Sequence, residues 1–261
     1  MSIDVLFKID VLLYNFLLFP RRVKARFKYR NAFKAAKRNG ELITREKKSD
    51  VLYICGNGPS LRKVDLNDID CDYLVVNDFF RFEKKNPVNP PKYYMLLDDT
   101  YLYPGFEERY NGVFNPGFET TYILTGTMKK TIDRDHPELK DNVYYFCPFG
   151  KLYSHKKKLD YRKMCPRSWN VVSEAILFGM YLGYKEIRLL GLDFSVFVSN
   201  AHFYSNVQAH PVLRKMLFKY SFTTEVHYEI ARYAKENGIK IVNMTSETLL
   251  DAYEIDTDSK Y

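Results

Sequence analysis

The chain has 261 residues, 46% hydrophobic and 28% charged, the balance of an ordinary globular protein with one large domain or two small ones. Of its net charge of +8, residues 1–49 supply thirteen Lys/Arg against four Asp/Glu, while the remainder holds twenty-seven against twenty-eight. That is a basic arm on a nearly neutral body, which argues against a nucleic-acid-binding protein, whose folded body would carry a basic stripe.

In the arm, Val5, Leu6, Ile9, Leu12, Leu13, Phe16 and Leu17 recur at helical spacing, and Pro20 then interrupts. Asp4, Lys8 and Asp10 break the run, so it falls short of the roughly 18–20 apolar residues of a membrane span. It also lacks the basic start and small-residue cleavage site of a signal peptide. Residues 21–38 are rich in Lys and Arg, with Phe27, Tyr29 and Phe33 interleaved. An apolar helix followed by a polybasic stretch predicts a helix lying in the headgroup layer of an anionic membrane, held through residues 1–38. The alternative is a helix packed on the body or on a partner subunit, which leaves a homo-oligomer open. The arm is expected to span 1–39, with a linker over 40–50.

An α/β body is expected over 51–261. Val51–Cys55 is an apolar strand, and Gly56-Asn57-Gly58-Pro59-Ser60-Leu61 reads as a tight turn into a helix. Strands are predicted over 73–76, 93–97, 122–124, 143–146, 187–190 and 239–242, and helices over 171–182 and 224–237, each helix stopped by a glycine. Strands alternating with helices predict a parallel sheet with helices on both faces, a Rossmann-like fold. Residues 194–220 are poorly periodic and read as a lid. The four cysteines form no C-x-x-C pair and read as reduced thiols of a cytosolic protein rather than a zinc site. The 16% aromatic content fits either a sugar-binding cleft or a tyrosine-rich core.

In an open parallel sheet, ligands bind beyond the carboxyl ends of the strands. Those ends read Gly56 to Ser60, Asn77-Asp78, Asp98-Asp99, Gly126-Thr127, Asp193 and Asn243. Gly56 and Gly58 permit positive φ and close backbone approach to a ligand. Pro59 suits a first helical turn, and Ser60 can cap it or donate to a phosphate. The turn lacks the Lys-Ser/Thr pair of a P-loop and the third glycine of a dinucleotide fingerprint. Asp98 is read as a sugar or nucleotide contact. The pair Asp98-Asp99 lacks the D-x-D spacing of metal-dependent transferases, and strand-end carboxylates often cap the next turn, so no metal is expected. Trp169, the one tryptophan, either stacks on a base or fills the core.

GNGPSL after the first strand, VVND after the second, NVVSEAILFGMYLGYKEIRLLGLDFS, and a GxDxS…HFY pattern resemble the bacterial CMP-sialic-acid transferases of glycosyltransferase family 42 and related cell-surface polysaccharide transferases, over roughly residues 50–250. The resemblance implies a modified GT-A domain with a lid, acting as an inverting, metal-independent enzyme. It would use a CMP-sugar donor without other cofactor and a glycan acceptor, and the basic arm would hold it at the cytoplasmic face of the cell membrane. It implies that Gly56, Asn57, Gly58, Pro59 and Ser60 cradle the CMP phosphate and ribose, and that Asn77 contacts the nucleotide or donor sugar. Ser168, Asn170 and Asp193 would hold the cytidine part. Ser195 is also taken as a nucleotide or donor contact, although the family has a tyrosine there, and the chain departs again near Ser221, where the base histidine is expected. A base must deprotonate the acceptor hydroxyl, a task suited to neutral histidine. His202, within the lid, is the candidate base, with Tyr204 stabilising the leaving phosphate. His136 and His155 read as solvent-exposed, and His210 and His227 as structural. The competing readings are a non-catalytic membrane-recruited scaffold, a transferase of another nucleotide sugar, and an NAD enzyme. Against the last stand the missing third glycine and Asn77 at the end of the second strand.

Overall fold

The computed structural model describes residues 3–82, 89–195 and 213–256. Among them, eight strands form one sheet: β1 Val51–Cys55, β2 Asp72–Val76, β3 Tyr93–Leu96, β4 Thr121–Thr125, β5 Val143–Phe146, β6 Glu186–Leu190, β7 Lys240–Asn243 and β8 Glu254–Ile255. Their order is β5-β4-β3-β2-β1-β6-β7-β8, and every neighbouring pair is parallel. The expected parallel α/β fold is borne out. A parallel sheet is covered on both faces, so its strands are apolar without alternation. DYLVV in β2 is buried at all five positions.

The two faces divide the strand residues by parity. Leu52, Ile54, Leu74, Val76, Tyr93, Met95, Ile187 and Leu189 meet helix α7 (Val171–Tyr181) and the long helix after it, Leu213–Glu236. Tyr53, Cys55, Tyr73, Val75, Tyr94, Leu96, Tyr122 and Leu124 face the other way. There the cover comes from short helices α5 (Glu107–Phe114) and α6 (Lys129–Asp135) and from 3-10 turns. The aromatic richness is therefore a tyrosine-rich core: Tyr73, Tyr93, Tyr94, Tyr161 and Tyr184 are among the largest fully buried side chains.

Several local expectations change. The turn after β1 leads into a five-residue 3-10 helix, Pro59–Lys63, because Val64 returns to extended backbone (φ −79°, ψ 134°). The helix expected over 224–237 begins earlier, at Leu213, so the last part of the expected lid is helical, and 196–212 lie outside the described residues. Pro20 does not break the arm. It occupies the first turn of α2 (Phe19–Lys28), which tolerates a missing N–H, and the bonds Leu18 N to Tyr14 O and Arg22 N to Leu18 O carry the ladder on from α1 (Ile3–Leu17).

The end of the expected arm and the start of the expected linker are folded onto the body. Helix α3 (Arg30–Ala35) sets Ala32 beside Cys147, and helix α4 (Asn39–Ile43) buries Leu42 in the main core. Buried Asn39 donates from Nδ2 to the carbonyls of Tyr145 (3.0 Å) and Tyr161 (2.8 Å). Tyr145 belongs to β5 at the sheet edge, so this segment satisfies part of a row of carbonyls that would otherwise be open.

Candidate functional site

The strand order reverses beside β1, which puts β2 on one side and β6 on the other, and the loops leaving β1 and β6 meet there. Gly56 N donates to Leu190 O (2.7 Å) and Gly58 N to Gly191 O (2.9 Å). A Cβ on Gly56 would lie 2.6 Å from Gly191 O, and one on Gly58 1.9 Å from Asp193 Oδ2. These glycines therefore serve a close approach between two loops. Gly58 has φ −70°, and the positive φ belongs to Gly191, at +65°. The expectation of positive φ at the first turn is corrected accordingly.

Asp193 is committed to this junction. It accepts from Ser60 N (3.1 Å) and Ser60 Oγ (2.7 Å), capping the 3-10 helix that Pro59 opens. The residues read as phosphate donor and cytidine contact thus bind each other, which leaves Ser60 Oγ without a free proton for a phosphate.

Two joined hollows lie over the strand ends. The larger, about 430 Å³, is bounded by Asn77, Asp98, Asp99, Phe149, Arg167 and the Ser168–Asn170 turn. That volume falls within the range of small-molecule sites, roughly 300–1,000 Å³. The smaller, about 130 Å³, is bounded by Asn57, Gly58, Pro59, Asp193 and Ser195, and shares Asn77 and Asn170 with the first. The residues singled out as Gly58, Asn57, Pro59, Asn77, Asp98, Ser168, Asn170, Asp193 and Ser195 thus converge on one cleft.

Four buried polar atoms around this cleft have no hydrogen-bond partner among the described residues: Asn57 Oδ1, Asn77 Oδ1, Arg167 Nε and Trp169 Nε1. Buried polar atoms are nearly always paired, and each of these four belongs to a residue that lines the cleft. Asn57 is anchored through Nδ2 to Val76 O (3.1 Å). Asn77 (φ 50°) and Trp169 (φ 65°) are in the left-handed region, which is uncommon outside glycine and costs backbone energy. Asp98 caps the next turn by accepting from Thr100 N (3.0 Å). Neighbouring Asp78 is buried and paired with Arg109 (2.9 Å) and the Tyr101 hydroxyl (2.8 Å). Among the described residues, no three His, Cys, Asp or Glu side chains cluster as a metal site would.

Beneath the Ser168–Asn170 turn lies Glu174, a residue that sequence reasoning passed over. It is fully buried and receives Ser168 Oγ at Oε2 (2.5 Å) and Tyr161 OH at Oε1 (2.7 Å). Burial pushes its carboxyl up to about 7, against the pull of these hydroxyls. Ser168 Oγ also lies 3.1 Å from Asn170 O. One hydroxyl proton serves one strong bond, so the arrangement is complete when protonated Glu174 donates to Ser168 and Ser168 donates onward. Asn170 then caps α7 by accepting from Val172 N (2.7 Å). Ser168 is thus a support of the turn and not a free contact. Arg167, also passed over, brings a cation to the cleft wall. A charged residue next to the single tryptophan was the available signal.

Trp169 lines the cleft and also packs on Tyr14 of α1 (5.5 Å between ring centroids) and on Phe222 (5.8 Å). His227 is buried, between Ser173 Oγ (3.0 Å) and the Tyr253 hydroxyl (2.7 Å), and burial lowers its pKa to about 3, so it stays neutral in the core. His136 and His155 are half-buried rather than exposed. His136 stacks on Phe114 (4.8 Å), and His155 Nδ1 meets Glu229 at 2.7 Å. Ser221 is exposed on its helix and donates to Phe218 O (2.8 Å). His202, Tyr204 and His210 lie outside the described residues. The thiols of Cys55 and Cys147 are pushed up to about 12 by burial, which makes them poor nucleophiles.

No protein-family profile matches the chain, and no curated protein sequence does. Solved structures similar to it include the sialyltransferase CstII from Campylobacter jejuni in complex with the substrate analogue CMP-3FNeuAc, at 18% identity over 80% of this chain and 86% of that one, with a TM-score of 0.48. CstII in complex with a trisaccharide acceptor and CMP is similar at 17% identity over 78% and 84%, with a TM-score of 0.46. The monofunctional α-2,3-sialyltransferase Cst-I from Campylobacter jejuni follows at 16% over 80% and 81%, with a TM-score of 0.43.

Proposed function

We propose that this protein is an inverting, metal-independent glycosyltransferase that moves sialic acid, or a related CMP-activated acidic sugar, onto a cell-surface glycan. The observation that carries the reading is the set of unpartnered buried atoms Asn57 Oδ1, Asn77 Oδ1, Arg167 Nε and Trp169 Nε1 around the cleft. A nucleotide offers the donors, the acceptors, the flat ring and the negative charge that these four groups lack. In the transfer, the acceptor oxygen forms a bond to the anomeric carbon while the carbon–oxygen bond to the CMP phosphate breaks. The phosphate leaves with the electron pair, and the acceptor proton passes to a base. His202 is assigned as that base, and Tyr204 as the hydroxyl donor to the leaving phosphate. Arg167 adds positive charge on the same wall. The basic arm over residues 1–38 supports a location at the inner face of the cell membrane.

Thermal-shift measurement with CMP, UDP, GDP and NAD tests the reading. A ligand at about 100 times its Kd stabilises a protein by about 2.7 kcal/mol. CMP is expected to do so and the others are not. A shift with UDP and none with CMP would replace the donor assignment. A CMP shift without turnover on any glycan would leave a nucleotide-binding scaffold.

A further inference from the structure

Helix α1 is apolar on two opposite sides. At 100° per residue, Phe7, Val11, Tyr14 and Leu18 share one side, and this side is packed. Phe7 and Tyr14 both meet Phe222, at 5.4 and 5.3 Å between ring centroids, and Asn15 Oδ1 accepts from Leu152 N (3.0 Å). The opposite side carries Val5, Ile9, Leu12, Leu13, Phe16 and Leu17, all exposed, with Leu12 at 69% and Phe16 at 76%. Helix α2 repeats the arrangement: Ala25 is buried, whereas Phe19, Val23 and Phe27 are exposed, Phe27 at 77%. Leu217 and Phe218 of the helix beneath are exposed as well. A helix apolar on both sides belongs in an interior, and the described residues cover only one of them.

We infer that the outward face of α1 and α2 seats on an anionic lipid surface, and that this seating brings the cleft wall at Trp169 beside the bilayer. The inference rests on the membrane placement proposed above, and adds which side chains enter the lipid and which cleft wall they bring near it. Charge selects the occupant. Helix α2, FPRRVKARFK, holds five Lys/Arg and no acid, which attracts anionic headgroups and repels a second copy of the same helix. The nearness of the cleft follows from shared residues. Tyr14 lies against Trp169 of the cleft, and Tyr29, directly after α2, stacks on Phe149 of the cleft wall at 5.0 Å and 12°. Trp169 is thus separated from the outward face by about one helix diameter, ~10–12 Å.

The sole tryptophan gives the readout. Full-length protein is sedimented with phosphatidylcholine vesicles, with and without roughly 30% phosphatidylglycerol to supply surface charge, beside the variant Leu12→Asp/Phe16→Asp. The wild type is expected to pellet with the anionic vesicles and the variant to bind at least about tenfold more weakly. Both should keep the same melting temperature. Headgroup nitroxide lipid should quench Trp169 in the bound wild type. If the wild type ignores anionic vesicles, the membrane placement itself fails. If wild type and variant bind equally, the placement survives and this face is the wrong one. Sensitive binding with Trp169 unquenched overturns the placement of the cleft wall beside the bilayer. Light scattering that shows a wild-type dimer and a monomeric variant, with vesicle binding unchanged, would make the face an interface between copies.

Discussion

Replacing Glu174 with glutamine isolates the contribution of one buried proton. The carboxyl lies near 7 in the folded protein against an ordinary value of 4.5, a gap of about 2.5 units, or about 3 kcal/mol at 1.36 kcal/mol per unit. Because the folded value is the higher one, the folded chain holds more protons than the unfolded chain between these limits. The contribution is complete below about pH 4.5 and is lost as pH rises through 7. Glutamine presents a permanent donor to Ser168 Oγ and a carbonyl to the Tyr161 hydroxyl, so Glu174→Gln has the hydrogen bonds of the neutral acid without its titration. Melting temperatures of both proteins at pH 5 and pH 8 give the assay. Of that contribution, about 2.5 kcal/mol is lost between pH 5 and pH 8, so relative to the wild type the variant should gain roughly 5–10 °C between the two conditions, while all other titrating groups cancel in the difference. Parallel pH curves would refute a neutral Glu174.

Gly58→Val should destabilise by about 3–6 kcal/mol, since its Cβ meets the Asp193 carboxylate and Gly191 O and would break the Ser60 bonds. Loss of the CMP shift should accompany a lowered melting temperature, and an unchanged melting temperature would contradict the two-loop contact. Transfer is expected to survive EDTA, and activity that vanishes with EDTA and returns with manganese would overturn metal independence. His202→Ala should lower turnover by about 10²–10⁴-fold with CMP affinity little changed. A collapse of CMP affinity would make it a phosphate contact instead. Removal of residues 1–38 should lower stability, because Tyr29, Ala32, Phe33 and Ala36 pack on Phe149 and Cys147. A calorimetric scan that matches the full chain would show these contacts to be dispensable.

Seven of the eight strands were legible because apolar runs of three to five residues bounded by Gly, Asn and Asp leave few alternatives, whereas the two-residue β8 has no such run. The polar strand ends followed directly, and Asn57, Asn77, Asp98, Asn170 and Asp193 do converge on one cleft. What composition could not convey is pairing. Ser60 and Asp193 lie 133 positions apart, so nothing local reveals that each occupies the other. Glu174 is embedded in an apolar helix, and its partners Tyr161 and Ser168 come from the irregular stretch that precedes it. The arm's polybasic composition masked Ala32, Ala36, Asn39 and Leu42, whose small or neutral side chains pack within it.

The reversal of strand order beside β1 also fixes a timetable. Tyr53 pairs with Tyr73 on one side but with Arg188 on the other, so the first strand made waits for a neighbour 135 positions downstream. At about 5–20 residues per second, a ribosome delivers that neighbour roughly 7–27 s later. Until then β1, β2 and β3 can assemble with one raw flank at what will become the middle of the molecule. A nascent chain of this protein is therefore most vulnerable to wrong partners at its eventual centre, and a chaperone that holds it should be found on β1 until β6 emerges.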